Sequence, residues 1–418
     1  MANTALKIAL AILAVATMAP KVFEHYRSIW SLLHNNAPDR MARINNFKSH
    51  EIKFTDTIRS CEDALLIESE GLAIFSCDAG RERWNTVMGI FLPGNNSGAE
   101  LYAYDYKDAT APDSKALKRF ELIDYEHGED FHSLGSAYNE ETSTFFIVNH
   151  REGQMAVEMF KLDLVSFTAK HLGSIQHPLL HAPNSIAIIN DHELYVTNDH
   201  YFSIRKHRAL ATAETYLRLP FGSVVHVDFS SLLDNPKSSG AGTISASVVA
   251  RLPFANGIAI LNSTTVAVAS TTSASIYLYN VSRPINTSDT KAPPTFSYAS
   301  EIELPFLVDN LKLASDGVLY AAGHPNPVAL GTFARSRHIC NDPAALAAAA
   351  AADASTRERC ATTYRAGSWV SRWAEGRGVE HLYADVEFPT SCTAAFDAAR
   401  RTGVVSGLYA KGILVWRE

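Results

Sequence analysis

The chain is 418 residues long, 47% hydrophobic and 19% charged, with a formal net charge of -7. That composition excludes a disordered chain and allows a sizeable core. The acidic balance and the scatter of its 37 Lys and Arg residues leave no cationic run for a nucleic acid to bind.

At the N-terminus, residues 5–19 form an apolar stretch opened by Lys7 and closed by Pro20 and Lys21. The stretch is short for a full span and suits a signal h-region or a signal-anchor. Pro20 directly after Ala19 spoils the plausible cleavage site, which favours retention as an anchor. Residues 22–33 continue as an amphipathic helix suited to a membrane surface, so residues 1–35 are read as one N-terminal unit. Sequons at Asn95, Asn262, Asn280 and Asn286 fit a secretory route that leaves the body of the protein lumenal or extracellular.

From about residue 50 to residue 418 the chain reads as short strands separated by Gly, Asn, Asp and Ser, among them 71–75, 144–148, 193–196, 275–279 and 317–320. Helical periodicity is absent beyond residue 60, except in the Ala-rich stretch 344–352 inside an insertion at about 340–360. Within the strands one unit recurs: a polar anchor, a short apolar strand, a tight turn, a second apolar strand, and often a histidine. Its copies span 62–78, 132–150, 184–200, 256–270 and 309–324, with a weaker sixth at 391–408. Steps of roughly 50 to 70 residues between anchors match four-stranded propeller blades with variable loops, and six such units close a ring. An all-β, six-bladed β-propeller with an N-terminal hydrophobic and amphipathic helix is therefore expected. Cys61 and Cys77 bracket the first copy and are placed to pair. Cys340 and Cys360 bracket the insertion and form a second candidate pair, leaving Cys392 over.

Hairpin strands run antiparallel, so the start of the first and the end of the second lie at one edge. All anchors then converge at one mouth of the ring's channel. Glu62, Asn184, Asn256, Asp309 and Asn310 bring carboxylate and amide oxygens without thiols or a histidine pair, which favours a hard cation. Calcium tolerates amide carbonyls and leaves coordination positions open for a substrate oxygen.

The segments Glu62-Asp63, Ile147-Val148-Asn149-His150, Pro183-Asn184-Ser185-Ile186, Phe254-Ala255-Asn256-Gly257-Ile258, Leu307-Val308-Asp309-Asn310 and His324-Pro325-Asn326 resemble the serum paraoxonase/arylesterase lactonases. The resemblance covers residues 60–325 and fades in the last blade. It implies a calcium propeller with a retained hydrophobic N-terminus, in which Glu62, Asn184, Asn256, Asp309 and Asn310 hold one catalytic ion. It also implies a second, structural calcium on Asp63, on the position of Ser185 and on a backbone carbonyl near Ser136. Ser185 lacks the charge of the family's acid, which weakens or removes that second site. Of the family's histidine dyad, His150 is present and Leu134 stands where the other member should be. Leucine takes no proton from water. His132, two residues earlier on the same side of a strand, is a substitute if its loop bends inward. His200 and His324 follow second strands and are expected at the substrate.

The activity implied is calcium-dependent hydrolysis of lactones or aryl esters, with water activated by the ion, by Asp309, or by His132 and His150. The small-molecule ester or lactone is then the partner, with a membrane or lipid surface at the N-terminus. The alternative is a catalytically impaired calcium-binding propeller that acts as a ligand- or partner-binding module. A third reading is a related propeller chemistry such as sugar-lactone hydrolysis. No Gly-x-Ser-x-Gly elbow supports a serine nucleophile. The family's disulfide to the chain end has no counterpart in 414–418, so strand pairing or the other cysteine pairs must close the ring.

Overall fold

A computed structural model describes residues 27, 29–94, 96–108, 110–234, 244–283 and 293–418. The apolar stretch 5–19 and the sequons at Asn95 and Asn286 lie outside the described residues, whereas Asn262 and Asn280 are exposed. No described helix is long and apolar enough to cross a membrane.

Middle strands such as Leu72–Cys77 and Thr144–Asn149 are continuous runs of β-branched, aromatic and small residues, nearly all buried. A run without polar alternation suits a strand covered on both faces, and blades stacked side by side provide that cover. The first blade orders Arg59–Ile67, Leu72–Cys77, Glu100–Asp105 and Leu117–Arg119. The second runs from Ser133–Asn139 outward to Thr168–Ile175, the third from Pro183–Asn190 to Ser245–Leu252, and the fourth from Ala255–Asn262 to Thr295–Glu303. The fifth runs from Leu307–Leu313 to Gly378–Asp385. The sixth combines Ser391–Asp397, Thr402–Lys411 and Ile413–Arg417 with Ser49–Lys53 from near the other end of the chain. Each innermost strand touches the next, and the sixth touches the first. The result is a six-bladed β-propeller.

The core is divided into wedges between neighbouring blades. Leu65, Ile74, Phe145 and Phe160 fill the wedge between blades one and two. Tyr320, Val370, Phe396 and Trp416 fill that between five and six, and Phe75, Ala395, Val404 and Val415 that between six and one. Trp416 is fully buried, its ring centroid 4.9 Å from that of Phe47 and 5.8 Å from that of Phe396. It fits because position 403 is glycine; a Cβ there would lie 2.1 Å from the indole.

Ring closure uses hydrogen bonds. Ser49 pairs with Arg417 and Lys53 with Ile413, while Gly407 and Lys411 pair with Cys61 and Arg59 of the first blade. Cys61–Cys77 and Cys340–Cys360 are disulfide-bonded, and Cys392 is free and buried.

Two helices correct the expectation of missing helical periodicity. Arg208–Tyr216 lies between the second and third strands of blade three, and Pro327–Cys340 occupies the same place in blade five. The second had a start signal that patterning alone passes over. The Asn326 side chain accepts from the Ala329 N–H, and Pro327 occupies the first turn. The Ala-rich stretch forms the helix Pro343–Ala352, capped by Asp342, with no residue buried.

One buried charge cluster gives a stability prediction. Glu158 is fully buried in blade two and accepts from Asn149 Nδ2 (3.1 Å), Ser174 Oγ and His171 Nε2 (3.1 Å), with Arg151 Nε 3.6 Å away. Burial alone would raise its pKa, but these hydrogen bonds and the arginine charge outweigh it and hold the carboxyl below the usual range. A carboxylate whose folded pKa is depressed adds stability above its unfolded pKa and loses it as pH falls through the folded one. Glu158→Gln is expected to destabilise the fold at neutral pH by about 3–5 kcal/mol and to flatten the loss of melting temperature on acidification. Parallel thermal melts across pH check this.

Candidate metal centre and cavity

Every innermost strand breaks its regular pairing near its start. In blade one Cys61 pairs with Cys77 and Asp63 with Ser76, leaving Glu62 as the extra residue. Blade two skips Leu134 and Gly135, blade three Asn184 and Ser185, and blade four Asn256 and Gly257. Blade five skips Asp309 and Asn310, and blade six Cys392. Bulges bend a strand and re-aim its side chains, so the same step in six blades presents six residues: Glu62, Leu134, Asn184, Asn256, Asp309 and Cys392. The first five line one cavity of about 580 Å³. Gly257 sits in the crowded part of this ring, where a Cβ would fall 2.5 Å from Leu311 N and 2.7 Å from Asp309 O.

The polar atoms follow one pattern. Asn184 Nδ2 donates to Asp199 Oδ2 (3.2 Å), Asn256 Nδ2 to Thr271 Oγ1 (3.0 Å), and Asn310 Nδ2 to Glu62 Oε1 (2.9 Å) and Thr393 Oγ1 (3.0 Å). Each amide nitrogen is thus anchored, and each amide oxygen is left without a donor. Asn184 Oδ1, Asn256 Oδ1, Asn310 Oδ1 and Glu62 Oε2 are all buried and unpartnered. Leaving one buried acceptor unsatisfied costs about 1–3 kcal/mol, and four such oxygens at the strand bulges of four blades are acceptors that a bound cation would satisfy. Burial, then the Asp309 and Asp63 carboxylates, push Glu62 well above the usual carboxylate range. Two carboxylates and three amide oxygens fit calcium, which takes six to eight oxygens.

Asp63, expected on a second ion, is occupied by protein donors. Its Oδ2 accepts from Ser136 N (2.7 Å), Ser136 Oγ (2.9 Å) and Lys312 Nζ (3.0 Å), and its Oδ1 from Ala64 N (2.8 Å) and Thr393 Oγ1 (2.8 Å). The Ser185 N–H donates to Thr197 Oγ1 (2.9 Å).

The histidines divide. His324 lines the cavity, and its Nε2 lies 2.9 Å from Asp309 Oδ2 while its buried Nδ1 has no partner. His200 also lines it, held between Asp199 Oδ1 (2.7 Å) and Thr215 Oγ1 (2.7 Å) with Phe254 edge-on at 4.5 Å. Burial opposes its charge, but the Asp199 hydrogen bond and the charges of Asp199 and Glu214 outweigh that and raise its pKa. His150 is not among the lining residues. Thr86 Oγ1 meets its Nδ1 and the Pro183 carbonyl its Nε2, and burial lowers its pKa, with Asp199 and the Pro183 carbonyl opposing. His132 does not reach the lining either; its Nδ1 lies 3.2 Å from Asp78 Oδ2, and its loop does not turn inward. Leu134 packs with Phe146, Val148 and Ile186 and gives the cavity an apolar wall.

Two features escaped sequence reasoning. Cys392 lies with Asp309 and His324 in a cluster whose donor atoms are all within 4.8 Å of one another, and burial and the Asp309 and Glu62 carboxylates push its thiol up. The signal was available, since Cys392 directly follows Ser391, where the sixth copy begins, and takes the step that Glu62 takes in the first. The second feature is a cover over the cavity. Ile29, Leu32 and Leu33 of the N-terminal helical residues line the cavity, as do Val328 and Leu330 of helix Pro327–Cys340. Asn326 ties the two together by donating to Leu32 O (3.1 Å) and Leu33 O (3.0 Å). These three apolar side chains belong to the stretch 22–33 read from sequence as an amphipathic helix suited to a membrane surface, and in the structure they line the cavity.

An arylesterase family profile matches residues 95–346, more than half of the chain. Human serum paraoxonase/arylesterase 2 is 31% identical over 191 residues, covering 45% of this chain and 47% of that protein. Rabbit serum paraoxonase/lactonase 3 is 30% identical over 192 residues, with the same shares. The chain thus spans about half the length of the curated relatives it matches. Among solved structures, a gluconolactonase from Xanthomonas campestris superposes with a TM-score of 0.45 at 11% identity, covering 90% of this chain and 93% of that one.

Proposed function

This chain belongs to the arylesterase family, and on that premise we propose that it is a calcium-dependent hydrolase of lactones or aryl esters. The observation that carries the reading is the set of four buried, donorless oxygens on Glu62, Asn184, Asn256 and Asn310. With Asp309 they would hold the ion. Calcium, when bound there, supplies Lewis-acid polarisation of the substrate carbonyl and charge for the oxyanion.

The remaining work falls to the chain itself. Leu134, Phe254 and Leu307 give the cavity an apolar lining for an acyl chain or aryl group. The two covering helices exclude bulk water from the reacting carbonyl. His324 is the proton acceptor for the attacking water. Its Nε2–H donates to Asp309, which fixes the tautomer and leaves the Nδ1 lone pair unpartnered. That assignment replaces His132 and His150, whose ring nitrogens point at protein partners. His200 orients bound substrate beside Phe254. The two disulfides support an oxidising compartment, and hence a secretory route.

The test is a panel of small lactones and aryl esters, assayed with metal content measured alongside. Hydrolysis is expected to vanish on exhaustive chelation and to return with calcium; full activity in verified metal-free protein would sink the mechanism. A second reading, calcium-dependent binding without turnover, draws on Leu134, an apolar wall where a second proton acceptor would stand. Stoichiometric calcium with no turnover of any panel member would favour it.

A further inference from the structure

We infer that the Lys312 ammonium is a built-in cation that replaces a second metal ion at Asp63, so that the propeller axis carries a single exchangeable ion. Asp63 has a fully buried side chain, and a lone buried carboxylate demands a counter-charge. Lys312 supplies it at 3.0 Å, with its side chain 21% exposed. The same ammonium lies 3.4 Å from Ser136 O. A carboxylate and a backbone carbonyl of the next blade are the partners a metal would take, and here they face an ammonium. The other four donors to Asp63 come from Ser136 N and Oγ, Ala64 N and Thr393 Oγ1. Five donors on two oxygens leave no lone pair facing an open site. Chemistry agrees with geometry: Ser185 brings a hydroxyl where a divalent ion would need an acid.

The placement gives Lys312 a positioning role. Asp63 directly follows Glu62, and Lys312 lies two residues beyond Asn310 on the innermost strand of blade five, so both strands that carry Lys312 and Asp63 also carry calcium ligands. Ser136 adds blade two and Thr393 blade six. One ion pair therefore joins four of the six blades at the axis, and it needs no metal to do so.

The identity of the single remaining ion rests on the calcium reading above; the ammonium's role does not. Calcium per chain should be measured after equilibrium dialysis of the full-length protein, for wild type, Glu62→Gln, Lys312→Met and the double variant Ser185→Asp/Lys312→Ser. One ion is expected in wild type, none in Glu62→Gln, and two in the double variant, whose melting temperature should rise with calcium more than that of wild type. Lys312→Met should melt roughly 3–6 °C lower than wild type, with or without calcium. Should it not fold, Asp63→Asn/Lys312→Met, which removes both charges, is expected to recover much of the loss. Two ions in wild type, or a Lys312→Met protein as stable as wild type, would overturn the inference. Zero ions in wild type would instead sink the calcium reading, with the melting comparison still deciding the role of Lys312.

Discussion

Glu62→Gln is expected to lower hydrolysis of a responsive ester or lactone by about 100- to 1,000-fold and to leave the purified protein without bound calcium. The exchange keeps shape and removes charge. A glutamine carbonyl can still accept from Asn310 Nδ2 as Glu62 Oε1 does, so the strand has no reason to move. What disappears is one of the two carboxylates in the ligand set and the oxygen, Oε2, that has no protein donor. Metal-free protein should gain rather than lose stability, because a carboxylate crowded by Asp309 and Asp63 in a buried site is replaced by a neutral group. Calcium titration by calorimetry, with thermal melts in chelator, checks both halves. Retention of calcium at wild-type affinity would show that the ion is held elsewhere.

The second large effect is expected at His324. His324→Gln should lower kcat by about 100-fold or more while KM and calcium content stay near wild type. A glutamine Nε2 can still donate to Asp309 from the position of the histidine Nε2, which preserves the ligand's orientation, but the side chain offers no basic nitrogen in place of Nδ1. Partial rescue by added imidazole would identify the lost group as a proton acceptor. If calcium and activity fall together, His324 only positions Asp309, and the base lies elsewhere. Leu134→His is the companion experiment: it places an imidazole at the equivalent bulge of blade two, where an increase in turnover would show that a second acceptor is useful in this cavity.

Much of this arrangement was legible in the chain. The innermost strands announce themselves because each begins with a polar residue before an apolar run, and the bulge that follows occupies the same step in every blade. Leu134 was visible as the misfit through the resemblance, because it stands where the family's dyad histidine should be. The helices Arg208–Tyr216 and Pro327–Cys340 were not legible from periodicity. Arg208–Tyr216 is short and lies between two strands of blade three, with Thr212, Thr215 and Tyr216 lining the cavity. Lys312 reads as an ordinary polar residue of a strand; only Asp63, 249 positions away, makes it part of the axis. The inward bend required of His132 depended on Asp78, whose carboxylate holds the ring outside the cavity lining, and no local spacing reveals that partner.

The sixth blade carries a consequence for biosynthesis. All five oxygen ligands have been translated by residue 310, yet the ring that brings them together is closed by residues 413–417 lying against 49–53. A nascent polypeptide halted in the fifth blade holds every ligand residue and no site. On the proposed reading, calcium capture would therefore be a late event, open only to chains whose last blade has been made, and affinity for the ion would separate finished molecules from truncated ones.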